Sequence, residues 1–159
     1  MIQRVQSIFL FLVALAMVAV VFLPIWFQVN PGQTQAMDLT AWYLTVKSVP
    51  DGEIISKSGN YYIGILAIAA GILALYSLMQ YRNRKRQLFL NMINALVMGT
   101  TLGLAVFVSY QANLDFNPKV SGAYVIGFYS IIFALIMNII ANRFIRKDEM
   151  LVRSVDRIR

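Results

Sequence analysis

The chain has 159 residues, of which 59% are hydrophobic and only 13% are charged, and its formal net charge is +7. A soluble domain usually carries about 25% charged residues, so this composition argues against a soluble globular protein. The chain contains no Cys and no His, which excludes disulfide bonds, thiolate metal sites and histidine catalysis.

Four long segments contain no Lys, Arg, Asp or Glu: 5–37, 58–81, 87–114 and 120–142. A helix that spans a bilayer needs about 20 mostly apolar residues, and a charge at its centre costs about 2.5–3.5 kcal/mol. Each charge-free segment is long enough to supply such a helix. The pattern therefore predicts a single membrane domain, residues 1–159, with spans at about 8–27, 61–81, 88–110 and 123–141.

The predicted fold class is an all-α membrane protein in which four transmembrane helices form an antiparallel bundle. Only residues 82–87 separate the second span from the third, and so short a connection forces an antiparallel pair of helices. We expect two additions to this bundle: a small extracytoplasmic β-hairpin and a cytoplasmic amphipathic C-terminal helix.

The hairpin is predicted within the outer loop, residues 28–60. Two segments with strand-like composition, 39–46 and 53–56, flank the sequence Pro50-Asp51-Gly52. Pro presets its φ angle and Gly readily adopts a positive φ, so this sequence favours a turn. We interpret the hairpin as a cover for the outer ends of the helices. The alternative is a cap that binds a partner.

Small and polar residues recur at every fourth position in the third and fourth spans. This spacing places them on one stripe of each helix and indicates a seam at which the two helices pack closely. The helix-packing candidates are Asn91, Ala95, Gly99, Gly103, Ser130, Ala134, Asn138 and Asn142. The alternative to packing is a polar path for an ion or small solute, lined by Asn91, Asn94, Thr100, Thr101 and Asn138. The absence of charge inside the spans argues against a coupled transporter, but not against a passive channel.

Most of the 14 basic residues lie near the N-terminus, between spans two and three, or after span four. The positive-inside rule therefore places both termini in the cytoplasm. Basic clusters of this kind can also bind anionic lipid or a partner, although membrane orientation alone would explain them. The candidates for such contacts are Arg82, Arg84, Lys85, Arg86, Arg143, Arg146, Lys147, Arg153 and Arg157. We expect no nucleic acid partner.

The cytoplasmic tail, residues 142–159, combines apolar residues near helical spacing with Arg, Lys, Asp and Glu. An Arg-rich amphipathic helix next to a span lies along the inner leaflet or docks on another protein. The pattern leaves both interpretations open.

No group of residues predicts catalysis. The carboxylates lie in the outer loops or in the basic tail, and no two of them form an evident acid–base pair. Neither a metal-ligand spacing nor a phosphate-binding loop is present in the sequence. We therefore expect no catalytic residue, no metal and no cofactor, and we do not expect an enzyme.

The two ends of the chain carry a family resemblance. The start is Met1-Ile2-Gln3-Arg4-Val5-Gln6-Ser7, and the end runs from Ala141-Asn142-Arg143-Phe144-Ile145 to Val155-Asp156-Arg157-Ile158-Arg159. These segments resemble an uncharacterised four-pass inner-membrane family of the Bacteroidota, a domain of unknown function. The resemblance implies a bacterial cytoplasmic membrane, and it supplies no activity or site residue.

The function that these observations favour is that of a structural or accessory membrane subunit. Such a subunit would act through contacts with the lipid bilayer, with a membrane protein partner or with a second copy of itself. A passive channel or facilitator for a small solute is the alternative, and a membrane enzyme is the least favoured hypothesis.

Overall fold

The computed structural model describes residues 5–81 and 83–156, with the side chains of 5–81 and 83–150. Within these residues the chain forms four helices and five strands. The helices are α1 (Val5–Phe22), α2 (Tyr61–Met79), α3 (Arg84–Phe116) and α4 (Ile126–Asp156). The strands are β1 (Trp26–Val29), β2 (Gln35–Leu39), β3 (Tyr43–Ser48), β4 (Ile54–Gly59) and β5 (Ala123–Tyr124).

All four helices are long and apolar enough to cross a membrane. Helix α1 packs against α2 and α4, and α3 packs against the same two helices from the other side. The four helices therefore surround one shared interior in chain order. Helix α4 continues without a break beyond its apolar part, so the tail is helical as far as Asp156.

The buried residues of each helix alternate between spacings of three and four. In α1 they include Leu10, Val13, Met17 and Val20, and in α2 they include Ile63, Ala67, Ala70 and Ala74. This spacing keeps one side of each helix facing its neighbours, as in a left-handed coiled coil. The buried side of α2 is mostly Ala and Gly, which allows the backbones to approach closely.

The prediction of an all-α fold with a small hairpin is wrong, because the chain forms a five-stranded antiparallel sheet with the order β4-β3-β2-β1-β5. The predicted hairpin is part of it: β3 and β4 flank the turn, in which Gly52 has a φ of 72°. Strand β1 begins within the predicted end of span one, and β5 occupies the predicted start of span four. Their pairing, Trp26 with Tyr124, joins residues far apart in the chain, and no local pattern reveals it.

The sheet is attached directly to the ends of the helices. The backbone N–H of Gly127 donates to the Pro24 carbonyl at 2.9 Å, and the indole N–H of Trp42 donates to the Val21 carbonyl at 3.1 Å. Met37 and Leu39 on β2 belong to the same apolar core as the helix interiors. We call the end of the helices that carries the sheet the sheet end. The basic end is the opposite one, where α2 is connected to α3 and α4 runs into the tail.

Candidate functional site: a buried amide cluster and the basic end

Helix α3 has a polar interior face and an apolar exterior face. Five of its eight buried residues are polar: Gln87, Asn91, Asn94, Thr101 and Ser109. Its exposed side carries Phe89, Leu96 and Phe107. This arrangement suits a lipid environment, because apolar side chains can face lipid freely whereas polar groups need partners inside the protein.

Near the basic end, all four helices contribute polar side chains to one group, which we call the amide cluster. Its members are Gln6, Ser77, Gln87, Asn91, Asn94, Asn138 and Asn142. Asn91 is its central residue. The Ser77 hydroxyl donates to Asn91 Oδ1 at 2.5 Å, and Asn91 Nδ2 donates to Asn142 Oδ1 at 3.0 Å. The Asn91 side chain therefore links α2, α3 and α4.

Further hydrogen bonds extend the amide cluster to α1. Gln6 Nε2 donates to Gln87 Oε1 at 3.4 Å, and Gln87 Nε2 donates to the Ser77 carbonyl at 3.1 Å. Asn138 Nδ2 donates to the Asn91 carbonyl at 2.9 Å. Each bond between membrane helices contributes about 0.6 kcal/mol on average, so the cluster sets helix register more than it adds stability.

Several atoms of the amide cluster have no partner within the part of the chain that the structure describes. They are Gln6 Oε1, Asn138 Oδ1 and both polar side-chain atoms of Asn94, which is fully buried. An unpaired buried polar group costs about 1–3 kcal/mol. Towards the sheet end, Met98 and Ile131 are fully buried and apolar, so the polar interior does not continue at their level.

The structure separates the predicted packing residues into two groups. Asn91, Asn138 and Asn142 meet in the amide cluster, and Ala134 is buried in the apolar core. Ala95 and Ser130 are half-buried, whereas Gly99 and Gly103 are exposed and have open space where a Cβ would lie. The reason is geometric: a spacing of four advances about 40° around a helix at each step and leaves the contact face.

The two threonines of the predicted polar path bond to their own helix. Thr100 is exposed and donates to the Leu96 carbonyl at 2.9 Å. Thr101 is buried and donates to the Val97 carbonyl at 2.8 Å. Neither hydroxyl extends the amide cluster, so the side-chain geometry does not support a continuous path.

The basic end carries cations from two helices. Lys85 and Arg86 are exposed at the start of α3, and Arg143, Arg146 and Lys147 are exposed on α4. Arg84 is half-buried, and its guanidinium donates to the Asp148 carbonyl, which joins the two helices. The predicted candidates Arg82 and Arg157 lie outside the described residues. Arg153 lies on α4, but its side chain is likewise outside them.

The family model for DUF4293, a domain of unknown function, matches residues 2–158. The chain belongs to the DUF4293 family. No curated protein matches the sequence. The DUF4293 match covers both the amide cluster and the basic end, so neither belongs to a separate appended segment.

The described part of this DUF4293 protein contains no group of three or more Asp, Glu, His or Cys residues that could hold a metal ion. The groups that the amide cluster offers are neutral hydrogen-bond donors and acceptors. Sequence reasoning missed Gln6 and Ser77 because it followed small and polar residues only in the third and fourth spans. It missed Gln87 because that residue precedes the predicted start of span three at 88. The alternating spacing of three and four, read from Gln87 through Asn91 and Asn94, would have identified the buried face of α3.

Proposed function

We propose that this DUF4293 protein is a multi-pass protein of the bacterial cytoplasmic membrane, in which it acts as a structural or accessory subunit. Support for a membrane location comes from four helices of sufficient length and apolar character. Support for the orientation comes from the concentration of cations at the basic end, because the positive-inside rule places such an end in the cytoplasm. The sheet then lies on the outer side.

In this proposal the basic end is the surface that binds anionic lipid, a partner protein or a second copy of the chain. The observation that carries it is the meeting of exposed cations from two helices, Lys85 and Arg86 with Arg143, Arg146 and Lys147. Each such residue near an anionic membrane surface contributes about 1 kcal/mol of attraction. The same surface suits anionic lipid headgroups or an acidic face of a membrane protein partner or second copy.

A matched pair of double variants tests the proposal. The first, Arg146→Glu with Lys147→Glu, reverses two exposed charges at the basic end. The control, Lys57→Glu with Lys119→Glu, reverses two exposed charges at the sheet end. Each protein is purified in mild detergent, and native mass spectrometry counts the anionic lipids, partner subunits or second copies that remain bound.

We expect the wild-type protein and the control to retain their bound species and the basic-end variant to lose at least half of them. Lipid-free monomers in the wild-type sample would contradict the proposal. Equal loss in both variants would also contradict it, because the effect would then depend on total charge and not on the basic end.

The geometry of the described residues does not favour the alternative of a passive channel. Between the amide cluster and the sheet end, the buried interior includes the apolar residues Met98, Ala105 and Ile131. The buried hydroxyls of Thr101 and Ser109 donate to carbonyls of their own helix. The proposal likewise includes no catalytic step.

A further inference from the structure

A groove of about 490 Å³ opens on the exposed side of α3 next to the sheet. Its helical wall consists of six residues of α3: Gly103, Val106, Phe107, Ser109, Tyr110 and Asn113. The other lining residues come from β1, β5 and the chain just before β5. This volume lies within the range of about 300–1,000 Å³ that is usual for ligand sites. We call it the lateral groove. It is far from the basic end and shares no residue with the amide cluster.

The lateral groove is apolar on one side and polar on the other. Phe107 and Tyr110 are 58% and 61% exposed on the apolar side. The polar side contains Ser109, Asn113 and Tyr124. The charge-free part of α3 ends at Leu114, close to these residues. An amphiphile in the groove would therefore have its chain in the hydrocarbon and its head near the membrane surface.

Trp26 gives the polar side an indole N–H. This residue is only 3% exposed and lines the lateral groove. Its ring edge, which includes Nε1, lies against Gly122, where a Cβ would approach ring atoms to 2.2 Å. A Trp that is buried to this degree usually donates its indole N–H to an acceptor.

Asn113 supplies a further donor on the polar side. Asn113 Oδ1 already accepts from the Gly122 N–H at 3.0 Å, which leaves the Asn113 amide NH₂ for another acceptor. The Ser109 hydroxyl donates its one hydrogen to the Val106 carbonyl at 3.0 Å and accepts from the Tyr124 hydroxyl, which lies 3.0 Å away. None of the lining residues carries a formal charge. The lateral groove thus presents neutral donors beside an apolar wall.

We propose that the lateral groove binds one phospholipid of the outer leaflet. The ester carbonyl oxygens of the lipid accept hydrogen bonds from Trp26 Nε1 and from the Asn113 amide. One acyl chain lies along Val106 and Phe107. Ester carbonyls are neutral acceptors, which matches the uncharged donors of the site. The inference rests on the membrane location proposed above, but it does not depend on any role of the basic end.

Two glycines allow a matched test. Gly99 and Gly103 are both exposed, and a Cβ at either would meet no other atom within 4 Å. Only Gly103 lines the lateral groove. Gly103→Phe should therefore fill the groove without disturbing the fold, and Gly99→Phe places the same side chain one turn away. Trp26→Phe keeps an aromatic ring while removing the N–H.

The probe is phosphatidylethanolamine with a photoreactive diazirine in one acyl chain, mixed into vesicles that contain the full-length protein. Mass spectrometry of the digested protein maps and quantifies the crosslinks. In the wild-type protein and in Gly99→Phe, we expect crosslinks concentrated between residues 103 and 110. We expect at least a five-fold decrease there in Gly103→Phe and a two- to five-fold decrease in Trp26→Phe.

Crosslinks of equal intensity on all lipid-facing helices, unchanged in Gly103→Phe, would overturn the inference, since they would report only general contact with the bilayer. A lack of crosslinks at 103–110 in the wild-type protein would also overturn the inference. If Gly99→Phe and Gly103→Phe both made the protein monomeric and restored crosslinks there, the face would bind a second copy of the chain. In either case, crosslinks to α1 and α2 would leave the membrane location itself intact. Failure of the protein to enter vesicles would instead contradict the membrane location.

Discussion

Asn91 and Asn94 are two fully buried amides on the same face of α3, yet their surroundings differ. Asn91 exchanges side-chain hydrogen bonds with Ser77 and Asn142, whereas neither polar side-chain atom of Asn94 has a partner among the described residues. The two positions are separated by only about 4.5 Å along the helix axis. They therefore allow the contribution of a hydrogen-bonded amide to be compared with that of an unpaired one.

We expect Asn91→Ala to lower the free energy of unfolding by about 1–2 kcal/mol, because two side-chain hydrogen bonds between helices are lost. Asn94→Ala should change it by no more than about 0.5 kcal/mol, since removal of an unpaired buried amide offsets the lost packing. Titration with a denaturing detergent, followed by circular dichroism, measures both. An equal loss in both variants would show that the Asn94 amide has a partner in the membrane.

At the scale of elements, a close backbone contact joins α4 to the residues between α1 and the sheet. Gly127, in the first turn of α4, donates its N–H to the Pro24 carbonyl at 2.9 Å. A Cβ on Gly127 would lie 2.4 Å from that same carbonyl oxygen. Because the obstacle is backbone and not a flexible side chain, the two elements would have to separate. Glycine at this position therefore permits α4 to begin directly against the residues that lead into β1.

Gly127→Ala should destabilise the protein by about 1–3 kcal/mol, the usual cost of overpacking a close contact. Gly99→Ala is the control, because it lies on the exposed face of α3 with open space around it. There the substitution should be neutral or should stabilise the helix by up to about 1 kcal/mol. The unfolding midpoints of both variants are measured in the same detergent. If Gly127→Ala unfolds at the wild-type midpoint, Gly127 and Pro24 are not in close backbone contact.

The whole molecule is asymmetric along the helix axes. Cations from α3 and α4 meet at one end, and the sheet covers the other, where Lys47 pairs with Asp38 at 2.8 Å. The fully exposed strand β4 lies at the sheet end, so its residues are accessible from that side. The native chain contains no Cys, and introduced thiols can therefore report on each side separately.

We expect Ser56→Cys on β4 to react with a membrane-impermeant maleimide in intact spheroplasts. Lys85→Cys at the basic end should react only after the membrane is permeabilised, because the positive-inside rule holds that end in the cytoplasm. The Cys-free wild-type protein provides the blank. The opposite labelling pattern would reverse the proposed orientation, and labelling of both thiols in intact spheroplasts would contradict the membrane location.

Several features followed from the sequence alone. Gaps between charges located four helices of membrane-spanning length, and Pro50-Asp51-Gly52 located the turn between β3 and β4. These are local properties: the cost of burying a charge and the φ preferences of Pro and Gly act within a few residues. Asn91, Asn138 and Asn142 were predicted to lie on one seam between the third and fourth spans, and their side chains take part in the amide cluster.

Only the tertiary structure decided the rest. Strands β1 and β5 come from segments that read as the ends of apolar spans, and they become strands because they pair with each other across the fold. Packing between neighbouring helices likewise determines which side of each helix is buried. It places Ser77 in the amide cluster and leaves Gly103 at the lateral groove. Backbone pairing and helix contact depend on residues distant in the chain, so composition and spacing do not reveal them.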